Sequence, residues 1–285
     1  MLGHKLWLTA AARHEAFETW VTLRGGGESL PDVFDRTRVI PNVSADRFET
    51  VSAAFDRVRP DAVVSCIGVV KQRAEANDPI VAITVNSLFP HRVAALCAKG
   101  GARMIHVSTD CVFSGRAGRY TEQDTPDATD LYGRTKHLGE VSGPGAVTLR
   151  TSIIGRELSA SQGLVEWFLA QRGTVPGYTK AIFSGLTTAE FSRVILDVIE
   201  RHPDLTGVYH VASAPISKQD LLERLNRALG RGLTIRPDAS VAIDRSLDGS
   251  RFAAAAAYIA PAWDTMIEEL AGEVPAYDHW RPHAR

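Results

Sequence analysis

A tyrosine and a lysine four positions apart, Tyr132 and Lys136, could perform acid–base chemistry. On a helix, residues four apart lie on one face, so the phenol and the ammonium would be neighbours. A free tyrosine has a pKa of about 10, and a nearby ammonium lowers it because the charge favours the phenolate. Such a tyrosine can give a proton to a carbonyl oxygen while hydride reaches the carbon. The pair alone is a weak signal, because most such pairs lie on solvated helix surfaces.

A second polar group follows an apolar segment, Met104–Ser108, whose composition is typical of a buried strand. In a doubly wound sheet, ligands bind beyond the carboxyl ends of the strands. Ser108 and Thr109 would lie at such an end, where a hydroxyl can hydrogen-bond a substrate oxygen and stabilise its developing charge. Either hydroxyl could instead cap a turn. This strand end, followed by the tyrosine and the lysine, is a more specific signal than either feature alone.

The elements that would position these residues alternate between short apolar runs and amphipathic stretches. Runs that are apolar on both faces suit a parallel sheet covered by helices. Their spacing predicts an α/β fold with a doubly wound, Rossmann-like parallel sheet. The predicted strands are Thr19–Leu23, Arg38–Ile40, Ala62–Cys66, Met104–Ser108 and Val147–Arg150, and the predicted helices are Arg47–Val58, Ile83–Ala98 and Tyr132–Val141.

Predicted strands and helices alternate less regularly after about residue 150, which predicts a smaller C-terminal α/β lobe. We therefore divide the chain into a Rossmann-like domain, residues 1–152, and a lobe, residues 153–285, that is interleaved with the end of the sheet. The elements predicted in this lobe are helices at Leu164–Ala170, Thr188–Arg201 and Ser217–Leu229, a strand at Val208–Val211, and a final helix that includes Met266–Leu270.

Composition narrows the class of protein. The chain has 285 residues, 45% of them hydrophobic, and can bury a large core. A formal net charge of -1 shows no electrostatic footprint for nucleic acid. The three cysteines, Cys66, Cys97 and Cys111, are widely spaced and the histidines form no ligand-spaced pair, so we expect neither disulfides nor a metal site. No apolar run approaches the roughly 20 residues that cross a bilayer, and no signal-peptide pattern opens the chain, which predicts a cytoplasmic protein without membrane contact.

Four motifs follow one another in the middle of the chain: Ser108–Gly115 (STDCVFSG), Tyr120–Glu122 (YTE), Tyr132–Lys136 (YGRTK) and Gly139–Glu140. Together they resemble the central block of the extended short-chain dehydrogenase/reductases, and within these the dTDP-4-dehydrorhamnose reductase family. The resemblance implies a reductase that transfers hydride from NADP(H) to the 4-keto group of a nucleotide-linked deoxysugar, with residues 1–152 binding NADP(H). It spans nearly the whole chain, through Val85–Pro90, Leu149–Ser152, Gly207–Val211, Asp244–Asp248 and Trp263.

The resemblance implies a role for each residue of the matching motifs. Tyr132 is the general acid, and Lys136 lowers its pKa and holds the nicotinamide ribose. Thr109, with Ser108, binds the keto oxygen of the sugar. Asn86 would help to fix a strand end behind the site, although an amide on a helix surface explains this residue equally well.

The cofactor is expected to pass the end of the strand at Cys66, Ile67 and Gly68, where a small residue lets backbone approach the dinucleotide. Gly68 could equally be only a turn residue. Gly3 matches the last glycine of the glycine-rich turn that binds pyrophosphate in such domains.

The first strand of such a domain and its two earlier glycines have no counterpart in the sequence. Without that strand, two rows of backbone groups would lack partners and the phosphate cradle would be incomplete. Either the protein begins further upstream, or the chain is a truncation that binds cofactor poorly. We favour the first explanation, because every chemical residue of the mechanism is kept.

Arg24 follows the predicted strand Thr19–Leu23 and favours NADP(H) over NAD(H). An arginine there suits a 2′-phosphate, whereas an acidic residue would hold the ribose 2′-hydroxyl. A solvated surface arginine is the alternative explanation. Asn42 and Val43 would lie near the adenine, whose amino group Asn42 could bond.

Two further functions stay open at this point. Sugar-nucleotide epimerases and dehydratases keep the same tyrosine and lysine, and Asp110 after Thr109 is an ambiguous cue for a dehydratase. A noncatalytic regulatory subunit, similar to the β subunit of methionine adenosyltransferase, would suit a chain without a phosphate loop. The intact Tyr132 and Lys136 favour an enzyme. Relatives often dimerise, so a homodimer is compatible with the resemblance.

Overall fold

A computed structural model of the protein describes residues 1–28, 30–70, 77–159 and 161–281. The strands are β1 Val21–Thr22, β2 Val39–Ile40, β3 Ala62–Ser65, β4 Arg103–Thr109, β5 Ala146–Thr151, β6 Ile153–Ile154, β7 Thr174–Phe183, β8 Leu186–Thr187, β9 Gly207–His210, β10 Ile216–Ser217 and β11 Thr234–Asp244. The helices are α1 Leu2–Ala11, α2 Phe48–Val58, α3 Pro79–Ala82, α4 Phe89–Gly100, α5 Leu131–Leu138, α6 Leu164–Ala170, α7 Thr188–Arg201, α8 Lys218–Ala228, α9 Ser250–Ala256 and α10 Trp263–Trp280.

The central sheet contains four parallel strands in the order β3-β4-β5-β9. Both of its faces are covered. Ile105 and Val147 lie in one core cluster with residues of α1 and α7, whereas Met104 lies in another with Phe89 and Val93 of α4. Successive residues of β4 therefore enter different cores, which explains why Met104 and Ile105 are both apolar. The predicted doubly wound parallel sheet is confirmed.

β1 and β2 form a separate parallel pair, with Val21 opposite Val39. Among the described residues, β1 and β3 each have a single neighbouring strand. Edge strands of this kind present unpaired N–H and C=O groups along one side. A Cβ on Gly3 would lie 3.8 Å from Cys66 Cβ, so α1 begins beside the end of β3. The absent strand between β1 and β3 stays a prediction.

The helix that precedes β4 is longer than the predicted Ile83–Ala98. It begins at Pro79, because the Asp78 carboxylate caps the helix and proline is favoured in its first turn. It passes through a π-helical segment, Ile83–Leu88, before α4. It ends where Gly101 adopts a φ of 75°, a conformation that suits glycine.

This continuous helix, the 22 residues Pro79–Gly100, is long and apolar enough by length and composition to cross a membrane, since an 18-residue window of it has a mean hydropathy of 1.4. The expectation from the sequence concerned uninterrupted apolar runs, which Asn86, His91 and Arg92 break here, whereas the helix meets the composition criterion as a whole. In the fold, Phe89, Val93 and Cys97 of this helix are buried in the core under the central sheet. The absence of membrane contact stays a prediction.

A second sheet, β10-β7-β11, lies in the part of the chain after β6. β7 runs antiparallel to β10 and parallel to β11. Sequence patterns do not predict β7 or β11, because Pro176 and Pro237 interrupt the apolar runs. β9, from the same part of the chain, joins the central sheet beside β5. The final helix, α10, extends well beyond the predicted Met266–Leu270.

Candidate active site

Thr109 ends β4 at the carboxyl edge of the central sheet and is 9% exposed. Its hydroxyl oxygen accepts a hydrogen bond from the Cys111 amide at 3.1 Å and donates one to Asp110 Oδ1 at 3.1 Å. The threonine thus caps the 3-10 turn Asp110–Val112, which directs the chain away from the sheet. The same side chain also acts on the Tyr132 phenol and lowers its pKa, so strand and helix bring the two residues together.

Helix α5 places Tyr132 against this strand end. The helix is capped by Asp130, whose carboxylate accepts a hydrogen bond from the Gly133 amide at 2.9 Å. A Cβ on Gly133 would lie 2.3 Å from the Cys111 carbonyl oxygen, so only glycine allows this approach. The predicted Tyr132–Val141 helix is confirmed in part, because α5 ends at Leu138.

Lys136 lies one turn further along α5 and is 5% exposed. Its ammonium donates a hydrogen bond to the Val107 carbonyl oxygen at 2.8 Å. Burial lowers the pKa of Lys136 to about 8, against the opposing charges of Glu140 and Cys66. Gly68 is close by, since a Cβ there would lie 3.9 Å from the ammonium nitrogen.

Burial raises the pKa of Tyr132, and the hydrogen bond with Thr109 offsets only part of that effect. The expected lowering by Lys136 is therefore wrong for this state of the protein. The physical reason is that desolvation penalises the phenolate, while the ammonium is engaged with the backbone at Val107. A buried phenol stays protonated at neutral pH, which is the form that a proton donor requires.

Asn86 is buried in the π-helical segment and is 1% exposed. Its side-chain oxygen accepts from the Val69 amide at 2.9 Å, and its nitrogen donates to the Val69 carbonyl at 3.2 Å. The nitrogen also donates to Thr135 Oγ1 at 3.3 Å. Asn86 therefore ties the backbone after Gly68 to the helix that carries Tyr132, and the alternative of a surface amide is wrong. π-helical segments are frequent at functional sites.

Ser108, by contrast, points to a buried ionic group. Its hydroxyl donates to Glu140 Oε1 at 2.7 Å, and Arg150 donates to both oxygens of that carboxylate at 2.7 Å. Burial alone would raise the pKa of Glu140, but the hydrogen bonds from Arg150, His137 and Ser108 lower it to about 2. Sequence reasoning noted Glu140 only as part of a motif and assigned Arg150 only to a strand.

The residues predicted to bind the cofactor fall into two groups. Gly3, Cys66, Ile67, Gly68 and Asn86 gather around the end of β3, with Lys136 close by. Arg24, Asn42 and Val43 gather at the ends of β1 and β2, where the Asn42 amide donates to the Gly25 carbonyl and the Val43 amide to the Leu23 carbonyl. Within the described ranges, no hydrogen bond or ion pair joins the second group to Tyr132 or Lys136.

The exposures of these residues differ. Arg24 and Asn42 are exposed, and Asn42 has a φ of 60°, which asparagine tolerates better than most residues. Val43 is 6% exposed and packs in a small core with Ile40 and Ala54, so its side chain serves packing. Burial raises the pKa of the Cys66 thiol to about 12, so this cysteine is protonated and unreactive. In the part of the chain that the structure describes, no cluster of three or more His, Cys, Asp or Glu residues could hold a metal ion.

Comparison with known proteins identifies a family and several relatives. The family of the RmlD substrate binding domain matches residues 34–230. The probable low-salt glycan biosynthesis reductase Agl14 of Haloferax volcanii is 29% identical over 199 residues, which make up 66% of either chain. dTDP-4-dehydrorhamnose reductase of Mycolicibacterium smegmatis is 27% identical over 168 residues, which make up 56% of this chain and 51% of that protein. The matched segment thus spans between about half and two-thirds of these curated relatives.

Among solved structures, dTDP-4-dehydrorhamnose reductase from Bacillus anthracis in complex with NADP has a TM-score of 0.74 and 19% identity, and the match covers 90% of this chain and 100% of that one. At this identity the likeness establishes the fold, and it agrees with the parallel sheet described above. The family match carries the assignment further, because residues 34–230 include β4 with Thr109 and α5 with Tyr132 and Lys136. The chain belongs to the family of the RmlD substrate binding domain.

Proposed function

We propose that this protein is an NADP(H)-dependent reductase of a nucleotide-linked 4-keto-deoxysugar, with Tyr132 as the general acid. The observation that carries the proposal is the pair formed by Thr109, which is buried, and Tyr132, which is half-buried, beside Lys136 at the carboxyl end of β4. The family supports the substrate class, since the mycobacterial relative is a dTDP-4-dehydrorhamnose reductase. The Bacillus anthracis structure contains NADP, which supports the cofactor.

The described residues fit a nicotinamide cofactor, which would supply the hydride. Ile67 and Val70 are 40% and 41% exposed at the end of β3, and such apolar side chains suit the face of a flat ring. Gly68 between them leaves the neighbourhood of Lys136 accessible to a ribose. Arg24 is exposed and, within the described ranges, makes no hydrogen bond or ion pair, so it is available for a 2′-phosphate. NAD(H) is the alternative cofactor.

Protein residues donate the proton and hydrogen-bond the carbonyl oxygen of the substrate. When hydride adds to the carbonyl carbon, the π electrons of the C=O bond move to oxygen, and the Tyr132 proton passes to that oxygen. The products are the alcohol and a phenolate. Thr109 would donate a hydrogen bond to the same oxygen while its charge develops. Lys136, one turn further along α5, would hold the nicotinamide ribose, and solvent returns the proton to Tyr132.

We further infer that residues 1–152 bind NADP(H) and that residues 153–285 mainly bind the nucleotide sugar. The long strands β7 and β11, together with α8, provide the second unit with a sheet and helix of its own. A cytoplasmic location and a homodimer stay predictions from the sequence.

The cofactor part of this proposal can be tested by fluorescence titration of the protein with NADPH and NADH. We expect NADPH to bind more tightly, and Arg24→Ala to remove most of that preference while leaving NADH binding unchanged. Arg172→Ala is the control, because Arg172 is exposed on the loop before β7. If the protein binds neither cofactor, the reductase proposal fails. If Arg24→Ala keeps the full preference for NADPH, the assignment of the 2′-phosphate is wrong.

A further inference from the structure

The single proton of the Thr109 hydroxyl is needed by two acceptors. A threonine hydroxyl donates one hydrogen bond and accepts two. In the structure, Thr109 accepts from the Cys111 amide at 3.1 Å and donates to Asp110 Oδ1 at 3.1 Å. The proposed reaction requires the same proton for the developing oxyanion of the substrate. Asp110 and the substrate oxygen therefore compete for the one hydrogen bond that Thr109 can donate.

The carboxyl group of Asp110 lies in the interior without a close counter-charge. Asp110 is 6% exposed and begins the 3-10 turn that follows β4. Among the described residues, no Lys, Arg or His nitrogen lies within 4 Å of its oxygens, so no ion pair balances a negative charge there. Burial without a counter-charge favours the neutral, protonated form of a carboxyl group, because desolvation penalises the charged form.

Titratable and charged groups face Asp110 from several elements. Burial has the largest effect on the pKa of Asp110 and raises it. The opposing effects come from Arg245 after β11, from Thr109 and Cys111 on either side of Asp110, and from Lys218 at the start of α8. Tyr132 lies on the α5 side of the same carboxyl group, since the charge of Asp110 acts on the phenol. The net direction is upward, which agrees with the lack of an ion pair.

Protonation of Asp110 removes the competition at Thr109. A neutral carboxyl group can donate through its own O–H, whereas a carboxylate only accepts. The O–H of Asp110 would fill the second lone pair of Thr109, beside the lone pair that accepts from the Cys111 amide. The Thr109 proton is then free to turn to the substrate oxygen. A neutral Asp110 also places no negative charge beside the oxyanion that forms there.

We propose that Asp110 is a positioning residue that acts in its protonated form: it donates a hydrogen bond to Thr109 and thereby directs the Thr109 proton to the substrate oxygen. The inference rests on the proposed function, since it concerns the same site. The proton of Asp110 stays on its carboxyl group throughout the reaction, so no bond in this residue forms or breaks. The aspartate that is an ambiguous cue for a dehydratase in the sequence thus has a role in a reductase.

The protonation of Asp110 can be measured by ¹³C NMR of the full chain labelled at the carboxyl carbons of aspartate. The Asp110 resonance is identified by its loss in Asp110→Asn. Asp124 is the internal control, because it accepts a hydrogen bond from the Thr121 hydroxyl at 2.8 Å but is exposed, and the hydrogen bonds from Thr121 lower the pKa of its carboxyl group. We expect Asp110 to titrate well above both Asp124 and an ordinary aspartate, whose pKa is about 3.9.

Steady-state kinetics with NADPH and dTDP-4-dehydrorhamnose test how Asp110 acts. Asp110→Asn keeps a donor of similar shape and should retain most of kcat, whereas Asp110→Leu has no donor and should lower kcat roughly tenfold. In Thr109→Val the loss caused by Asp110→Leu should disappear, because Asp110 acts through Thr109.

The pH profile gives a second kinetic readout that a merely structural aspartate would not change. In the wild type, kcat should fall as the pH rises through the pKa of Asp110, because the carboxylate takes back the Thr109 proton. This fall should be absent in Asp110→Asn, whose amide donates at every pH. Asp124→Asn is the control and should change neither kcat nor its pH profile.

Three results would overturn the inference. The first is an Asp110 resonance that titrates with an ordinary aspartate or below it. The second is an equal loss of kcat in Asp110→Asn and Asp110→Leu. The third is the same loss from Asp110→Leu in the wild type and in Thr109→Val. If Asp110→Leu does not fold, the NMR titration and the pH profile of Asp110→Asn decide.

The NMR titration requires no substrate, so it separates this inference from the proposed function. A high titration of Asp110 in a protein that does not reduce the sugar would support the neutral carboxyl group beside Thr109 and refute the reductase. Sugar reduction by a wild type whose Asp110 titrates as an ordinary aspartate would support the reductase and overturn the inference.

Discussion

The Ser108 hydroxyl donates a hydrogen bond to Glu140 Oε1 at 2.7 Å, whereas the neighbouring Thr109 hydroxyl donates to Asp110 Oδ1 at 3.1 Å and acts on the Tyr132 phenol. Adjacent residues of a strand point to opposite faces, so the two hydroxyls cannot serve the same purpose. Thr109 faces the candidate site, whereas Ser108 holds the carboxylate that pairs with Arg150. The sequence assigned both hydroxyls to the substrate oxygen, and the geometry favours Thr109.

This difference predicts unequal effects of two conservative substitutions. Thr109→Val removes a donor to the developing oxyanion and should lower kcat by about 10²-fold. Ser108→Ala should lower the free energy of unfolding by about 1 kcal/mol and change kcat little, because one hydrogen bond to a charged group is lost. Steady-state kinetics and urea unfolding of both variants check this. An equal loss of kcat in Thr109→Val and Ser108→Ala would show that Ser108 also takes part in catalysis.

The lowered pKa of Glu140 predicts how the free energy of unfolding changes at acid pH. Its pKa is about 2 in the folded protein and about 4.5 when unperturbed, so the folded state favours the carboxylate. The resulting stabilisation is complete above pH ~4.5 and is lost as the pH falls toward ~2. In Glu140→Gln this loss should be absent, so the difference in unfolding free energy between wild type and variant should shrink over that window.

The same variant should be strongly destabilised at neutral pH, by about 3 kcal/mol or more, because the buried Arg150 loses its counter-charge. Glu269→Gln is the control: it removes an acidic partner of Arg193 that is 37% exposed, and such pairs contribute about 1 kcal/mol or less. Similar losses in the two variants would show that the buried pair contributes no more than a surface pair.

The close contact at Gly133 predicts that any side chain at this position lowers both the stability and the activity of the protein. Gly133→Ala places a Cβ 2.3 Å from the Cys111 carbonyl, so α5 must shift away from the strand that carries Thr109. We expect a loss of roughly 1–3 kcal/mol of stability and a marked fall in kcat. Gly143→Ala is the matched control, because no atom lies within 4 Å of the Cβ it would add. Full activity in Gly133→Ala would contradict the close approach of helix and strand.

The hydrogen bonds of Asn86 predict that this residue affects cofactor binding, because they fix the backbone at Val69. Asn86→Ala leaves the Val69 amide and carbonyl without their side-chain partners, which costs about 1–3 kcal/mol. The segment containing Gly68 would then be less well fixed, so KM for NADPH should rise more than kcat falls. Kinetics at varied NADPH concentration measure the two effects. A fall in kcat with unchanged KM would assign Asn86 to the chemistry instead.

The two elements that carry the candidate site, β4 and α5, could be predicted from the sequence alone. β4 and α5 were predictable because an uninterrupted apolar strand and a helix with tyrosine and lysine on one face leave clear periodic patterns. Their meeting at Thr109 and Tyr132 follows from the rule that ligands bind at the carboxyl ends of parallel strands. The residues 71–76, which follow Val70, lie outside the described residues.

The remaining features depend on contacts between distant residues. Glu140 and Arg150 form their pair across a turn and a strand, and nothing in the local pattern gives the geometry. The pKa of Tyr132 depends on burial, so the sequence predicted its direction wrongly from the lysine alone. Lys218 has the pattern of an ordinary lysine at a helix start, and only the fold shows that its ammonium lies over the Phe183 ring.

The most direct test of the reductase is the oxidation of NADPH by the purified protein with dTDP-4-dehydrorhamnose, followed by the absorbance of NADPH and by identification of the sugar product. We predict stoichiometric formation of the 4-hydroxy sugar, and a fall in kcat of about 10²–10⁴ in Tyr132→Phe. Tyr178→Phe, on β7, should retain activity. Wild-type binding of NADPH without sugar reduction, or undiminished turnover in Tyr132→Phe, would contradict the account. The first result would favour a noncatalytic protein, and the second would remove Tyr132 from the mechanism.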